Sequence, residues 1–78
     1  MVKSAAIEPA VRAAIERALG RPVQPGDELV RDLGLDSLTL TSLAVELEDA
    51  FRVRLDGAQP RTVEDVARLV ALRLEGGS

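Results

Sequence analysis

Apolar residues recur at helical spacing in three separate stretches of this chain, and segments rich in proline or glycine separate the stretches. The first stretch runs from Ile7 to Leu19 and places apolar side chains at the i, i+3, i+4 positions that share one face of a helix. Pro9 fits the first turn of this helix, and Gly20 fits its C-terminal cap. The predicted core face consists of Val11, Ala14, Ile15, Ala18 and Leu19.

A second helix is predicted from Asp36 to Phe51, with Asp36 or Ser37 as its N-cap. At about 100° per residue, six apolar side chains fall on one side of this helix. Leu38 and Val45 fall on the opposite side, so the second helix also presents an apolar and acidic outer face. The predicted core side consists of Leu40, Leu43, Ala44, Leu47, Ala50 and Phe51.

A third helix is predicted from Thr62 to about Leu74, with Thr62 as its N-cap and Asp65 completing a near capping box. Residues 52–55 alternate basic and apolar side chains without a pairing partner, so we expect an extended connector there. Residues 56–60 have room for at most one short helical turn. The core face of the third helix consists of Val63, Val66, Ala67, Leu69, Val70 and Leu74.

The segment between the first two helices, residues 20–36, is long and contains two prolines and several glycines. This composition indicates an irregular loop, and loops longer than about 12–15 residues often carry function. The loop ends directly before Ser37. Its isolated apolar residues predict anchorage to the core through Val23, Leu29, Val30, Leu33 and Leu35.

These elements predict an all-α fold, a small three- to four-helix bundle with a long loop between the first two helices. A chain of 78 residues has room for one domain. We expect that domain to span residues 1–78, with a core over about residues 7–74 and a flexible tail over residues 75–78. Because Phe51 is the only aromatic residue, the core must be built from aliphatic side chains.

The composition excludes several classes of function. Cysteine and histidine are absent, which removes disulfides, thiolate metal sites and a Ser-His-Asp relay, so we expect neither an enzyme nor a metal protein. From Asp27 to Phe51 there are seven acids and one base, a net charge of −6, and the other residues hold six acids and nine bases, +3. This argues against nucleic acid and for a basic partner surface, unless the acids only solvate exposed faces.

The first twenty residues mix charged with apolar side chains and fit neither a signal peptide nor a membrane span. We therefore expect no membrane association, and instead a soluble, cytoplasmic and monomeric protein.

Ser37 is the candidate for chemistry. A serine at a helix start is most often a cap, but if Asp36 supplies the cap, the Ser37 hydroxyl is available at the end of the long loop. A phosphate on Ser37 would lie beside the free N–H groups and the positive dipole end of the second helix, which favour an anion.

The run Asp32-Leu33-Gly34-Leu35-Asp36-Ser37-Leu38 resembles the attachment motif of the acyl carrier protein family. Leu43, Leu47, Glu48 and Phe51 in the second helix extend the similarity, which covers nearly the whole chain from Ile7 to Leu74. The resemblance implies that a phosphopantetheinyl transferase esterifies Ser37 with 4′-phosphopantetheine from coenzyme A, with Asp36 and Leu38 flanking the attachment point. A carrier needs no catalytic base of its own, because the chemistry occurs at the arm and in its partners.

The resemblance also implies partners: the transferase, an acyltransferase or ligase, a ketosynthase and other biosynthetic enzymes. Their recognition face would lie on the second helix and comprise Leu38, Thr41, Ser42, Val45, Glu46, Glu48 and Asp49. In such a carrier, acids meet basic patches on the enzymes.

Two features depart from the family pattern. Thr39 and Ser42 are uncharged where fatty-acid carriers often have acids. The segment of residues 52–61 is also shorter than usual, so the sequence does not decide whether a further helix and a cavity for an acyl chain exist. The cargo can therefore belong to fatty-acid or polyketide biosynthesis. The alternatives are a peptidyl or aminoacyl carrier of nonribosomal peptide biosynthesis, and a helical interaction domain without a prosthetic group.

Overall fold

The computed structural model describes residues 4–55 and 57–76, with side chains from Ile7 onwards. Three helices lie in these ranges: α1 (Ser4–Leu19), α2 (Ser37–Phe51) and α3 (Val63–Glu75). The described residues contain no strand, only one isolated antiparallel bridge between Glu28 and Thr62. The predicted all-α fold is therefore confirmed, with three helices in the described ranges. None of these helices is long and apolar enough to cross a membrane.

Helix α1 begins at Ser4, three residues before the predicted start, so Pro9 lies in its second turn and not its first. The apolar pattern did not predict this early start, because residues 4–6 carry no large apolar side chain. Pro9 is exposed and removes only its own ladder bond to the carbonyl of residue 5. The predicted C-terminal cap is confirmed: Gly20 has a φ of 71°, and the Glu16 carbonyl accepts the N–H groups of Gly20 and Arg21.

Helix α3 begins with a complete capping box. The Thr62 hydroxyl accepts the Asp65 N–H at 3.0 Å, and the Asp65 carboxylate accepts the Thr62 N–H at 3.3 Å. Burial alone would raise the pKa of Asp65, but hydrogen bonds from Arg61 and Thr62 hold it below the ordinary value. The sequence prediction of a Thr62 cap with Asp65 in the third position is confirmed.

The core lies mainly between α1 and α3, and α2 and the loop close it. Val11, Ile15, Val63 and Val70 are almost inaccessible to solvent, as is Leu47 of α2. Burying a side chain of this size contributes roughly 1.5–3 kcal/mol relative to leaving it exposed. An aliphatic core therefore suffices to hold the three helices together.

Two residues expected in the core are exposed instead. Ala18 of α1 and Ala50 of α2 both line a gap of about 280 Å³ between the two helices, beside Ala14 and Leu47. Alanine side chains are too short to close the space between helices at this end, so the prediction from periodicity was wrong at Ala18 and Ala50.

The long loop, residues 20–36, is irregular as predicted, and four of its five expected anchors are buried: Val23, Leu29, Leu33 and Leu35. The fifth, Val30, is 63% exposed, so its assignment to the core was wrong. The physical reason is a tight turn: the Glu28 carbonyl accepts the N–H groups of Asp32 and Leu33, which turns Val30 outward beside the buried Leu29.

Backbone hydrogen bonds tie this loop to the start of α3. The Leu29 N–H donates to the Arg61 carbonyl at 2.8 Å, and the Val63 N–H donates to the Asp27 carbonyl at 3.0 Å. The Glu64 N–H donates to the Pro25 carbonyl at 2.8 Å. The loop is therefore held in place by the backbone as well as by its apolar side chains.

The connector, residues 52–61, begins with Arg52 in the left-handed conformation at a φ of 58°. Val53 and Leu55 are buried, whereas Arg52 and Arg54 are exposed, which confirms the predicted alternation. The prediction of an extended backbone was wrong at Arg52, because its left-handed conformation ends α2. Within the described part of the connector there is no helix, so the helical turn allowed for residues 56–60 does not occur at residues 57–60.

Candidate functional site

Ser37 is the first residue of α2 and is exposed at the end of the long loop. The backbone before it is fixed: Leu35 is buried, and its N–H donates to the Leu29 carbonyl at 3.0 Å. Gly34 precedes Leu35 with a φ of 70°, a conformation that costs glycine little and other residues more. The buried Leu35 thus anchors the chain two residues before Ser37, which lies at the surface.

Asp36, not Ser37, caps α2. Its backbone is extended, and its Oδ1 atom accepts the Thr39 N–H at 2.8 Å. Within the described part of the chain, the Ser37 hydroxyl makes no hydrogen bond, and only the Ser37 carbonyl is engaged, accepting the Thr41 hydroxyl at 2.9 Å. The choice between Asp36 and Ser37 that the sequence left open is therefore decided in favour of Asp36.

The cap keeps a negative charge at the helix start. The hydrogen bond from the Thr39 backbone, followed by that from the Thr39 side chain, lowers the pKa of Asp36 below its ordinary value. The carboxylate is therefore ionised at neutral pH and accepts the Thr39 N–H, and it makes no hydrogen bond with the Ser37 hydroxyl.

The surroundings of Ser37 fit a phosphodiester. In the described ranges, the N–H groups of Ser37 and Leu38 have no acceptor, as is usual for the first turn of a helix. An exposed hydroxyl beside two such amides can accept a phosphoryl substituent that the helix dipole stabilises. Among the residues with described side chains, none accepts a hydrogen bond from this hydroxyl.

Six of the predicted partner-binding residues share one side of α2. At 100° per residue they fall within an arc of about 140°, and all six are exposed. The apolar members are well exposed, Leu38 at 75% and Val45 at 55%. We call this surface the outer stripe of α2; it consists of Leu38, Thr41, Ser42, Val45, Glu46 and Asp49.

Glu48, the seventh predicted residue, does not lie with the outer stripe. It is half-buried, and its Oε2 atom accepts the Leu55 N–H at 2.7 Å. Its backbone carbonyl accepts the N–H groups of Arg52 and Val53, so Glu48 joins the end of α2 to the connector. The expectation that Glu48 is exposed was wrong, because no local pattern shows that the Leu55 amide needs an acceptor.

A partly enclosed cavity of about 500 Å³ lies between α2, α3, the long loop and the connector. Its walls on α2 and α3 are aliphatic, and its α2 wall begins at Leu40, one turn after Ser37. The sequence left open whether such a cavity exists. In the structure, the non-helical residues 58–61 form part of its wall. The aliphatic lining comprises Leu29, Val30, Leu40, Leu43, Ala44, Leu47, Leu55, Ala58, Pro60, Val66 and Leu69, and the polar lining Glu28, Gln59 and Arg61.

No cluster of three or more potential metal ligands occurs among the residues with described positions.

Comparison with known proteins gives one family. The family model described as "Phosphopantetheine attachment site" matches residues 9–70, which are 62 of the 78 residues. The matched region begins in α1, contains the long loop, Ser37 and all of α2, and ends within α3. No curated protein matches the chain significantly.

The Asp36 cap predicts a pH dependence of stability. Because the pKa of Asp36 is lowered on folding, the cap contributes stability above the unfolded pKa, and this contribution is lost as pH falls through the folded value. We expect the Asp36 carboxyl carbon, followed by NMR, to titrate below pH 3.8, and the Thr39 amide to shift with it.

Two variants complete this test. Asp36→Asn keeps a capping oxygen, so it should remove the acid-range titration of the Thr39 amide and leave α2 folded. Ser37→Ala leaves the cap intact and should reproduce the wild-type titration. An Asp36 titration at or above pH 3.8 would contradict the assignment of the cap.

Proposed function

The chain belongs to the phosphopantetheine attachment site family, and we propose that the Ser37 hydroxyl is the atom that bears the prosthetic group. Domains of this family carry a covalently attached 4′-phosphopantetheine and are themselves non-catalytic. The chain is thus a phosphopantetheine carrier and not an enzyme, which confirms the resemblance to acyl carrier proteins. Membership of this family also excludes the alternative of an interaction domain without a prosthetic group.

The observation that carries the Ser37 proposal is the division of roles at the start of α2. Asp36 satisfies the Thr39 amide, so the neighbouring hydroxyl is exposed and has no hydrogen bond in the described part of the chain. The nearby Thr41 hydroxyl is engaged, since it donates to the Ser37 carbonyl. The Ser42 hydroxyl is also exposed, but Ser42 lies in the second turn of α2, beyond the two amides of Ser37 and Leu38 that have no acceptor in the described ranges.

The attachment step follows from this geometry. The Ser37 oxygen forms a bond to the phosphorus of coenzyme A that bears the pantetheine chain. The phosphorus–oxygen bond to the adenosine bisphosphate breaks, and that group leaves. The hydroxyl proton passes to a base of the phosphopantetheinyl transferase, since no base contacts Ser37 among the described residues. The arm, once bound, supplies the thiol that carries the cargo as a thioester.

We propose an acyl chain of fatty-acid or polyketide type as the cargo. The cavity of about 500 Å³ beside α2 supports this choice, because most of its lining is aliphatic and its α2 wall begins one turn after Ser37. Burial of each methylene of a chain contributes about 0.8 kcal/mol. An aminoacyl cargo, the alternative, would place a charged amine against these leucines at a cost.

A carrier domain interacts with biosynthetic enzymes. We propose that they dock on the outer stripe of α2: the transferase, an acyltransferase or ligase, and a ketosynthase. Exposed Leu38 and Val45 would provide apolar contact, and Glu46 and Asp49 would attract basic patches and speed encounter without tight binding. Three further points stay predictions: that residues 1–78 form a single carrier domain with a core over about residues 7–74, that the protein is a monomer, and that it lies in the cytoplasm.

Ser37 predicts a mass change. The chain incubated with coenzyme A and a broad-specificity phosphopantetheinyl transferase should gain about 340 Da, the mass of one arm of the coenzyme A group carrier. Ser37→Ala should gain nothing, whereas Ser42→Ala, which removes an exposed hydroxyl from the next turn, should gain the full increment. Intact-protein mass spectrometry measures both, and a gain that persists in Ser37→Ala would overturn the proposal.

The outer stripe predicts a charge effect on docking. Asp49→Lys should lower kcat/KM of the transferase for this carrier by a factor on the order of three at low salt, and the loss should shrink as salt rises. Glu8→Lys makes the same charge change on an exposed position of α1 and should have little effect. Equal losses in the two variants would show that net charge, and not the outer stripe, controls the encounter.

A further inference from the structure

One wall of the cavity beside α2 differs from the others. The walls on α2 and α3 are helical, so their backbone amides and carbonyls are paired, and they present aliphatic side chains such as Leu43, Leu47 and Leu69. The remaining lining comes from residues 28–30 of the long loop and from Leu55 and residues 58–61 of the connector, and none of these residues is helical. We call residues 58–61 together with Glu28 the irregular wall.

The ends of this irregular wall are hydrogen-bonded. The Ala58 N–H donates to the Leu55 carbonyl at 3.2 Å, and the Arg61 carbonyl accepts the Leu29 N–H at 2.8 Å. The Arg61 N–H donates to the Asp65 carboxylate at 3.3 Å. The wall is therefore attached at both sides and can act as a defined surface.

The middle of the wall is not hydrogen-bonded. Within the described part of the chain, the Gln59 N–H and the carbonyls of Ala58, Gln59 and Pro60 have no partner. Backbone groups of this kind are obligatory hydrogen-bonding groups, and water satisfies them while the wall is exposed. Three more polar groups lie in the same lining: the Gln59 side chain and the Glu28–Arg61 ion pair, with 3.7 Å between its charged atoms.

We propose that this polar wall makes the cavity selective for acyl chains that carry keto or hydroxyl oxygens, in preference to fully reduced chains. This inference rests on the proposed function, in which the cavity receives the cargo of Ser37. A fully reduced chain that packs against residues 58–60 displaces water from the backbone groups that it covers and leaves those groups unpaired, which opposes its burial. A keto oxygen accepts a hydrogen bond from the Gln59 N–H, and a hydroxyl donates one to a carbonyl. An oxygen-bearing chain therefore replaces the hydrogen bonds of the water that it displaces.

The aliphatic walls still matter for such a cargo. They contribute to the burial of every methylene, whichever chain is carried, so both kinds of chain gain from the α2 and α3 sides. The difference between the two cargoes arises at the irregular wall, chiefly at the unpaired backbone groups of residues 58–60. Selectivity is then a property of the irregular connector, and a helix in the same place would abolish it by pairing its own backbone.

Two cargoes of equal length test this inference. The chain is loaded from hexanoyl-coenzyme A and from 5-oxohexanoyl-coenzyme A with a broad-specificity transferase, and mass spectrometry confirms each load. NMR signals of the Gln59 amide and of the Leu43 and Leu69 methyls report how much of the acyl chain lies in the cavity and how much lies in solvent. The ratio of these two populations should be about tenfold larger for the oxo chain. Its Gln59 amide proton should move downfield, as a new hydrogen bond requires.

Variants at one position locate the effect. Gln59→Pro removes the N–H and should reduce the ratio for the oxo chain to that of the hexanoyl chain. Gln59→Ala keeps the N–H, loses only the side chain, and should retain most of the preference.

Equal ratios for the two cargoes on the unsubstituted loaded chain would overturn the inference and leave the attachment at Ser37 standing. This comparison needs no variant, so a failure of Gln59→Pro to fold does not affect it. Failure of either cargo to load at all would overturn the proposed function, and with it this inference.

Discussion

The backbone pairing between the long loop and the start of α3 is the constraint on which the site depends. Leu29 and Asp27 bond to Arg61 and Val63 across more than thirty residues of sequence, and the buried side chain of Leu29 lies at the same point. This pairing holds the loop against the bundle, so that Ser37 emerges at a defined place. It also fixes Arg61 at one end of the cavity's irregular wall. One set of hydrogen bonds therefore positions both Ser37, the proposed attachment point, and the cavity beside α2.

The start of α2 separates two roles that one serine could not fill together. Asp36 accepts the Thr39 amide and keeps the helix capped, while the Ser37 hydroxyl points into solvent without a partner in the described ranges. A hydroxyl that served as the cap would lose that acceptor on esterification, and the helix would be weakened by roughly 1 kcal/mol. With Asp36 in that role, a phosphodiester can be added to Ser37 while the cap stays in place. The outer stripe of α2 lies on the same helix as this proposed attachment point.

Most of the fold could be predicted from the sequence, because helices are governed by local periodicity and caps. The Gly20 and Thr62 caps were confirmed for this reason. Long-range pairing could not be predicted: nothing near Glu48 shows that its carboxylate accepts the Leu55 amide, and nothing near Leu29 identifies Arg61 as its partner. Three exposed residues were wrongly assigned to the core: Val30, Ala18 and Ala50. Periodicity predicts the side of a helix on which a residue lies, but it does not predict whether another segment covers that side. The attachment motif is local, so it predicts Ser37 as the attachment point from sequence alone. The cavity could not be predicted, because its walls come from four separate segments.

Locating the arm on the modified chain tests most directly whether Ser37 is the attachment point. The protein is incubated with coenzyme A and a phosphopantetheinyl transferase, digested, and sequenced by tandem mass spectrometry with fragmentation that retains the phosphodiester. The account predicts that the arm is found on Ser37 in the peptide that contains Asp36 and Leu38, with Thr39, Thr41 and Ser42 unmodified. An arm on any of those three hydroxyls, with Ser37 unmodified, would contradict it.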